Sequence, residues 1–90
     1  MRQNNIVTTE FIEKFRELED MVADVHIKHI LYGNQKIKRC ILHPIADGER
    51  IGLYINGEDV YITTDELLRV KFDNGECIVE GEVMQIHIIM

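Results

Sequence analysis

Apolar and polar residues alternate along most of the chain, and short turn sequences interrupt the alternation. From Val25 onward the period is two, which is typical of strands with one buried face. Asn56-Gly57 and Asn74-Gly75 each separate two such runs, and Asn-Gly favours a type I′ turn because both positions need positive φ. These turns predict registers that sort apolar and polar side chains onto opposite faces. The predicted pairs are Leu53–Val60, Ile51–Ile62, Tyr54–Asp59, Gly52–Tyr61, Phe72–Cys77, Val70–Val79 and Arg69–Glu80.

The last two runs are joined at Gly81-Glu82, which we interpret as another tight turn. The alternative is a β-bulge at Gly81 inside one long bent strand. The turn predicts two further apolar pairs, Met84–Val79 and Ile86–Cys77. The final segment, MQIHIIM, is apolar on both faces, so it is either buried on both or an open edge that invites a partner chain. A homodimer through this strand or through the strand containing Pro44 is therefore expected.

The N-terminal quarter has a helical period instead. Apolar residues recur at helical spacing, and Thr8 or Thr9 can cap the first turn. The pattern predicts a helix over residues 9–24 that packs on a sheet, preceded by a flexible lead-in at residues 1–8. Its apolar stripe consists of Phe11, Phe15, Leu18, Val22 and Val25.

Together these elements predict an α+β domain at residues 9–90. It contains one N-terminal helix packed on a curved antiparallel sheet of about six or seven short strands. A partly closed small barrel capped by the helix is the alternative.

Four acidic residues lie opposite the apolar stripe if the helix extends to residue 24. Like charges at this spacing repel each other, and acids near the C-terminal end oppose the helix dipole. A surface arranged against its own stability suggests a role in binding a basic partner, and the alternative is a solvated face. The predicted partner-binding residues are Glu13, Glu17, Asp20 and Asp24.

Charge is unevenly distributed around a net charge of −6. Residues 25–46 contain four bases and no acid, whereas the rest of the chain is acidic. The first two strands, with a three-residue loop at residues 33–35, place His29 opposite Arg39 and two apolar pairs beside them, Leu31–Ile37 and Ile27–Ile41. This basic hairpin is a candidate site for a small anion such as a nucleotide or phosphate, unless its bases pair with acids on neighbouring strands. Its candidate ligand-binding residues are Lys28, His29, Lys38 and Arg39.

Catalytic chemistry is poorly represented. The chain has no Ser, and neither Cys40 nor Cys77 lies at a predicted helix N-terminus that would activate a thiolate. In strands, the His26/His29 and Cys40/His43 spacings send the side chains to opposite faces, so no metal site is expected. We therefore expect no catalytic residue, no metal and no cofactor. Two cysteines without a signal-peptide core indicate a reduced protein of the cytoplasm.

Residues 63–88 resemble the repeating strand pattern of the small bacterial sporulation proteins of the YabP/YqfC type. The resemblance consists of glycines and alternation that any antiparallel meander shows, and the N-terminal helix does not fit the pattern. It therefore implies neither a function nor site residues for this chain.

The sequence thus favours a small acidic, non-enzymatic protein-binding module. Such a module could act as an inhibitor that occupies a basic or nucleic-acid-binding surface, as phage anti-defence proteins do, without binding nucleic acid or membrane itself. The alternatives are an anion-binding module and a structural homo-oligomer.

Overall fold

The computed structural model describes residues 7–90, so most of the predicted lead-in lies outside the described residues. Within this range the chain forms one α-helix, eight strands and one 3₁₀ turn over Thr64–Glu66. The elements are α1 (Thr9–Arg16), β1 (Val22–His29), β2 (Gly33–Ile41), β3 (Pro44–Ala46), β4 (Arg50–Ile55), β5 (Glu58–Thr63), β6 (Leu67–Asp73), β7 (Glu76–Gly81) and β8 (Met84–Ile89).

The strands form two antiparallel sheets. One has five strands in the order β2-β1-β8-β7-β6, and the other has three in the order β3-β4-β5. The predicted α+β class is confirmed. The described residues form eight strands in two sheets, compared with the predicted six or seven strands in one, and they do not form a closed barrel. Apolar residues of both sheets and of α1 form one buried cluster, with Phe15, Val25 and Leu53 fully buried within it.

Helix α1 begins as predicted but ends eight residues early. The Thr8 hydroxyl oxygen accepts a hydrogen bond from the Phe11 N–H at 3.0 Å, which satisfies one unpaired donor of the first turn. After Arg16 the chain tightens into turns, and Asp20 adopts a left-handed conformation with φ 67°. The C-cap residue is Glu17, whose backbone is still right-handed, and Asp20 lies three positions beyond it in the turn that leads to β1. Of the predicted apolar stripe, Val22 and Val25 therefore lie on β1 instead of on the helix.

The two Asn-Gly hairpins have the registers that the turns predict. All four Asn and Gly residues have positive φ, between 47° and 82°, as a type I′ turn requires. Every predicted pair across β4–β5 and β6–β7 is present. The Arg69–Glu80 pair also forms an ion pair, with its nitrogen and oxygen 3.3 Å apart.

The turn between β7 and β8 is confirmed, but its register differs from the prediction by two residues. Val79 pairs with Ile86, and Cys77 pairs with Ile88. Because the shift is even, the same face stays apolar and these four residues are fully buried.

β8 lies between β1 and β7, so neither of its edges is open and a homodimer through this strand is not available. β3, which begins at Pro44, lies at an edge of the three-stranded sheet.

Candidate functional site

The hairpin formed by β1 and β2 has a different register from the predicted one. His29 pairs with Gly33 instead of Arg39, and Ile27 pairs with Gln35 instead of Ile41. The turn occupies Ile30 to Tyr32 and closes at Gly33, whose φ of 81° is favourable only for glycine among the residues nearby. The predicted loop at residues 33–35 therefore belongs to β2, and the predicted pairing of Leu31 with Ile37 is also wrong.

The His29 side chain contacts the backbone and a side chain of this turn. Its Nδ1 atom accepts hydrogen bonds from the backbone N–H groups of Leu31 at 3.1 Å and Tyr32 at 3.4 Å. Its ring lies 4.5 Å from the Tyr32 ring, measured between centroids. Because Nδ1 is the acceptor, the neutral ring must carry its proton on Nε2. His29 is thus a structural residue of the turn.

The observed register separates the four candidate anion-binding residues. Lys28 and His29 lie beside the turn, whereas the backbone N–H of Arg39 bonds to the Asp24 carboxylate at the other end of β1, at 3.1 Å. Five residues of strand separate His29 from Asp24, which corresponds to about 16 Å at about 3.3 Å per residue. One small anion cannot contact both ends of the hairpin.

The hairpin presents three consecutive large apolar side chains to solvent, which we call the apolar tip. Ile30 is 72% exposed, Leu31 is 75% exposed and Tyr32 is 84% exposed. The sequence interpretation missed the apolar tip because VHIKHILY was assigned entirely to a strand. The signal was present, since three apolar residues in a row break the strict alternation of a half-buried strand.

The side chains of the bases in this hairpin lack ion-pair partners in the part of the chain that the structure describes. Across residues 7–90, the side chains of the hairpin's four bases form no ion pair. Elsewhere in that range, every Lys and Arg either pairs with a carboxylate or, in the case of Arg16, donates to the Ala46 carbonyl. The alternative that the hairpin bases are neutralised by acids on neighbouring strands is therefore not what the described residues show. The four bases are Lys28, Lys36, Lys38 and Arg39.

Among the described residues 7–90, β2 is an outer strand of the five-stranded sheet and pairs with β1 alone. It is nine residues long, and its residues are exposed except for Ile37 and Cys40, which are half-buried. Lys38 and Arg39 together oppose Asp24, which makes a β-bulge, and Arg39 has φ 52°. Up to this bulge, no strand within residues 7–90 pairs with the outer side of β2, so a row of its backbone N–H and C=O groups has no strand partner there.

A groove of about 420 Å³ lies beside the second half of β2. Residues 37–41 line one wall, and the end of β4 lines the other. Ile41 and Tyr54 contribute apolar surface, whereas Lys38, Arg39 and His43 contribute polar nitrogen atoms. The arrangement can receive a segment that carries both apolar and acidic side chains.

The four predicted partner-binding acids do not form one helix face. Glu13 lies on α1 and Glu17 caps its C-terminal end, and both are exposed. Asp20 follows in the turn, and Asp24 lies on β1, where its carboxylate accepts the Arg39 N–H. The four carboxylates would form one row only if the helix continued to residue 24. Because α1 ends at Arg16, they do not form that row. Whether these residues bind a partner stays a prediction.

The cysteine thiols and the histidine–carboxylate group near Glu19 lie where catalysis is not favoured. Burial raises the pKa of the Cys77 thiol to about 12, and burial also raises the pKa of Cys40, so both thiols are less reactive than a free one. The His43 Nδ1 atom lies 2.7 Å from a Glu19 carboxylate oxygen. One carboxylate oxygen of Asp20 lies within 4.8 Å of these two atoms, and all three residues are exposed. This group resembles a surface ion pair with a second acid beside it.

Comparisons with known proteins add no relative. No protein-family model matches the chain, and searches of curated proteins and of solved structures find no significant similarity. The resemblance of residues 63–88 to the sporulation proteins therefore carries no argument. No helix in residues 7–90 is long and apolar enough to cross a bilayer.

Proposed function

We propose that this chain is a non-enzymatic protein-binding module of the cytoplasm and that it contacts its partner through the β1–β2 hairpin. The observation that carries the proposal is the apolar tip, Ile30, Leu31 and Tyr32, which is exposed by 72% or more at each residue. The two free cysteines fit a reducing compartment.

The apolar tip has no role in the folded core. Ile30 donates its backbone N–H to the Val83 carbonyl at 3.0 Å, so the main chain is anchored while the side chains remain in water. Contiguous apolar surface of this kind marks interaction sites in soluble proteins, and tyrosine is enriched at interfaces. A rigid hairpin also loses little conformational entropy on binding.

A narrower form of the proposal assigns the contact to the acidic residues near the end of α1. In that form the module would inhibit a partner by covering its basic or nucleic-acid-binding surface. The exposure of Glu13, Glu17 and Asp20 supports it, and the engagement of Asp24 with Arg39 weakens it.

Selection of ligands from a displayed protein-fragment library, with the purified chain as bait, tests the proposal. The triple variant Ile30→Ser, Leu31→Ser, Tyr32→Ser removes the apolar tip, and Leu68→Ser is the matched control at another exposed apolar position. Because the three tip side chains are at least 72% exposed and Leu68 is 48% exposed, the free energy of unfolding of each variant should stay within about 0.5 kcal/mol of the wild-type value. We expect ligands that bind the wild type and the Leu68 variant but lose at least about tenfold in affinity for the triple variant, which corresponds to about 1.4 kcal/mol.

A third variant separates the two surfaces. It carries alanine at the four acids, and it should retain the selected ligands if the hairpin is the contact. Ligands that tolerate the serine substitutions but are lost with the alanines would assign binding to the acidic surface and overturn the hairpin proposal. The substituted positions are Glu13, Glu17, Asp20 and Asp24.

A further inference from the structure

We infer that the outer edge of β2 binds an extended acidic segment of a partner protein, which adds a strand to the five-stranded sheet. The inference deepens the proposed function and rests on the part of it that makes the chain a protein-binding module, not on the apolar tip. It differs from that proposal in naming the chemistry of the partner and a second contact surface, the backbone edge of β2.

The first argument is the open hydrogen-bonding edge. β2 ends the sheet order, and in an antiparallel sheet every second residue of an outer strand directs its N–H and C=O groups away from its neighbour. An added strand satisfies these groups, and peptide recognition by strand addition uses this mechanism. The regular part of β2, from Gly33 to Ile37, is long enough for several such bonds.

The second argument is the sign of the charge beside this edge. Lys36, Lys38 and Arg39 are exposed, and within residues 7–90 their side chains form no ion pair. Lysine on a sheet edge discourages pairing between copies of the same chain, because identical edges bring like charges together. The same charges attract carboxylates. The positive charges on this edge therefore repel the same edge of a second protein molecule and attract a strand that carries acidic side chains.

The third argument is the groove beside residues 37–41. Its apolar surface, which includes Ile41 and Tyr54, gives one side chain of an added strand a place to be buried. Lys38 and Arg39 line the same groove and can pair with acidic neighbours of that side chain. A nucleic acid would satisfy the charges but not the backbone edge or the apolar surface, so a peptide is the better fit.

A peptide titration tests the inference. The probe is a synthetic peptide of alternating Glu and Val, eight residues long, titrated against isotopically labelled protein and followed by amide NMR. We expect amide shifts in β2 and slower hydrogen exchange for its outward N–H groups. The same peptide N-methylated at alternate residues keeps its charges but cannot complete the ladder, and it should bind at least about tenfold more weakly. Equal binding of the methylated peptide would overturn the inference.

Matched charge reversals locate the contact. Lys36→Glu with Lys38→Glu should weaken binding at least about tenfold, because two attractive contacts become repulsive. Arg69→Glu with Lys71→Glu makes the same change in net charge on β6, at the opposite edge of the same sheet, and should have little effect. Equal weakening by both double variants would show a general charge effect and contradict an edge site.

Three further outcomes are decisive. A single-stranded oligonucleotide that displaces the peptide and binds the wild type more tightly would show a polyanion surface and overturn the inference. If peptide binding fails while library ligands still depend on the apolar tip, the strand-addition inference is wrong and the proposed function stands. If the peptide binds the triple serine variant normally and no library ligand depends on the apolar tip, the inference stands and the hairpin-tip proposal is wrong.

Discussion

Gly52 is the position where a single added methyl group should disturb the fold most clearly. It is buried on β4 and pairs with Tyr61 on β5. A Cβ atom at Gly52 would clash with the Val60 carbonyl oxygen and would lie 2.5 Å from the Tyr61 Cα and 2.7 Å from its Cβ. Carbon atoms in contact normally lie about 3.5–4.0 Å apart, so the paired strand would have to move by about 1 Å.

The cost of Gly52→Ala follows from which atoms must move. Overpacking a core typically costs about 1–3 kcal/mol, and the obstructing atoms here are mainly backbone atoms of a paired strand, which cannot rotate away. We therefore expect the upper end, about 3 kcal/mol. A 90-residue domain has roughly 5–13 kcal/mol of stability, so the loss is a large fraction of the total. It corresponds to a decrease in Tm of about 12–24 °C.

Urea and thermal unfolding followed by circular dichroism measure this effect. Gly48→Ala is the matched control, because no atom lies within 4 Å of the added Cβ and the backbone there is not left-handed. It should change the free energy of unfolding by less than about 1 kcal/mol. If Gly52→Ala unfolds within 0.5 kcal/mol of the wild type, as an ordinary surface substitution does, the register of β4 against β5 is wrong.

Two predictions concern ionisable groups. Cys77 is fully buried with its pKa raised to about 12, so iodoacetamide at pH 8 should label Cys40 first and Cys77 only as the chain unfolds; mass spectrometry showing equal rates would contradict the buried site. The Asp47 carboxylate accepts the backbone N–H groups of Glu49 at 2.9 Å and Arg50 at 2.8 Å, and these bonds lower its pKa. A lowered pKa stabilises the fold above the ordinary value of about 3.9, and this stabilisation is lost as the pH falls through the folded value. The Tm difference between the wild type and Asp47→Asn should accordingly be largest near pH 7 and vanish near pH 2, and a difference independent of pH would refute this assignment.

Local turn chemistry is the part of the fold that could be predicted from the sequence. At Asn56-Gly57 and Asn74-Gly75 the need for positive φ at two consecutive residues specifies the turn, and a two-residue turn specifies the register of both strands. Thr8 likewise marks the helix start through a bond to a residue three positions away. These features depend on residues close together in the sequence, so the local sequence is sufficient to predict them.

The candidate site was only partly visible in the sequence. The concentration of bases in residues 25–46 was evident, but the register of their hairpin was not, because the turn depends on the His29 ring and on Gly33 instead of an Asn-Gly pair. A misplaced turn moved His29 opposite Arg39 and concealed the apolar tip. That the hairpin bases lack ion-pair partners among residues 7–90 depends on where distant acids lie, which the sequence does not state.

Tertiary structure decided the remaining features through contacts between distant residues. β1 and β8 pair although about sixty residues separate them, and this pairing places β8 inside the sheet instead of at its edge. α1 ends at Arg16, and Val25, which the helical period placed on the helix, is instead buried on β1 between β2 and β8. Alternation determines which face of a strand is apolar, whereas the partner of each edge is chosen by burial of the whole core, and that choice leaves β2 open.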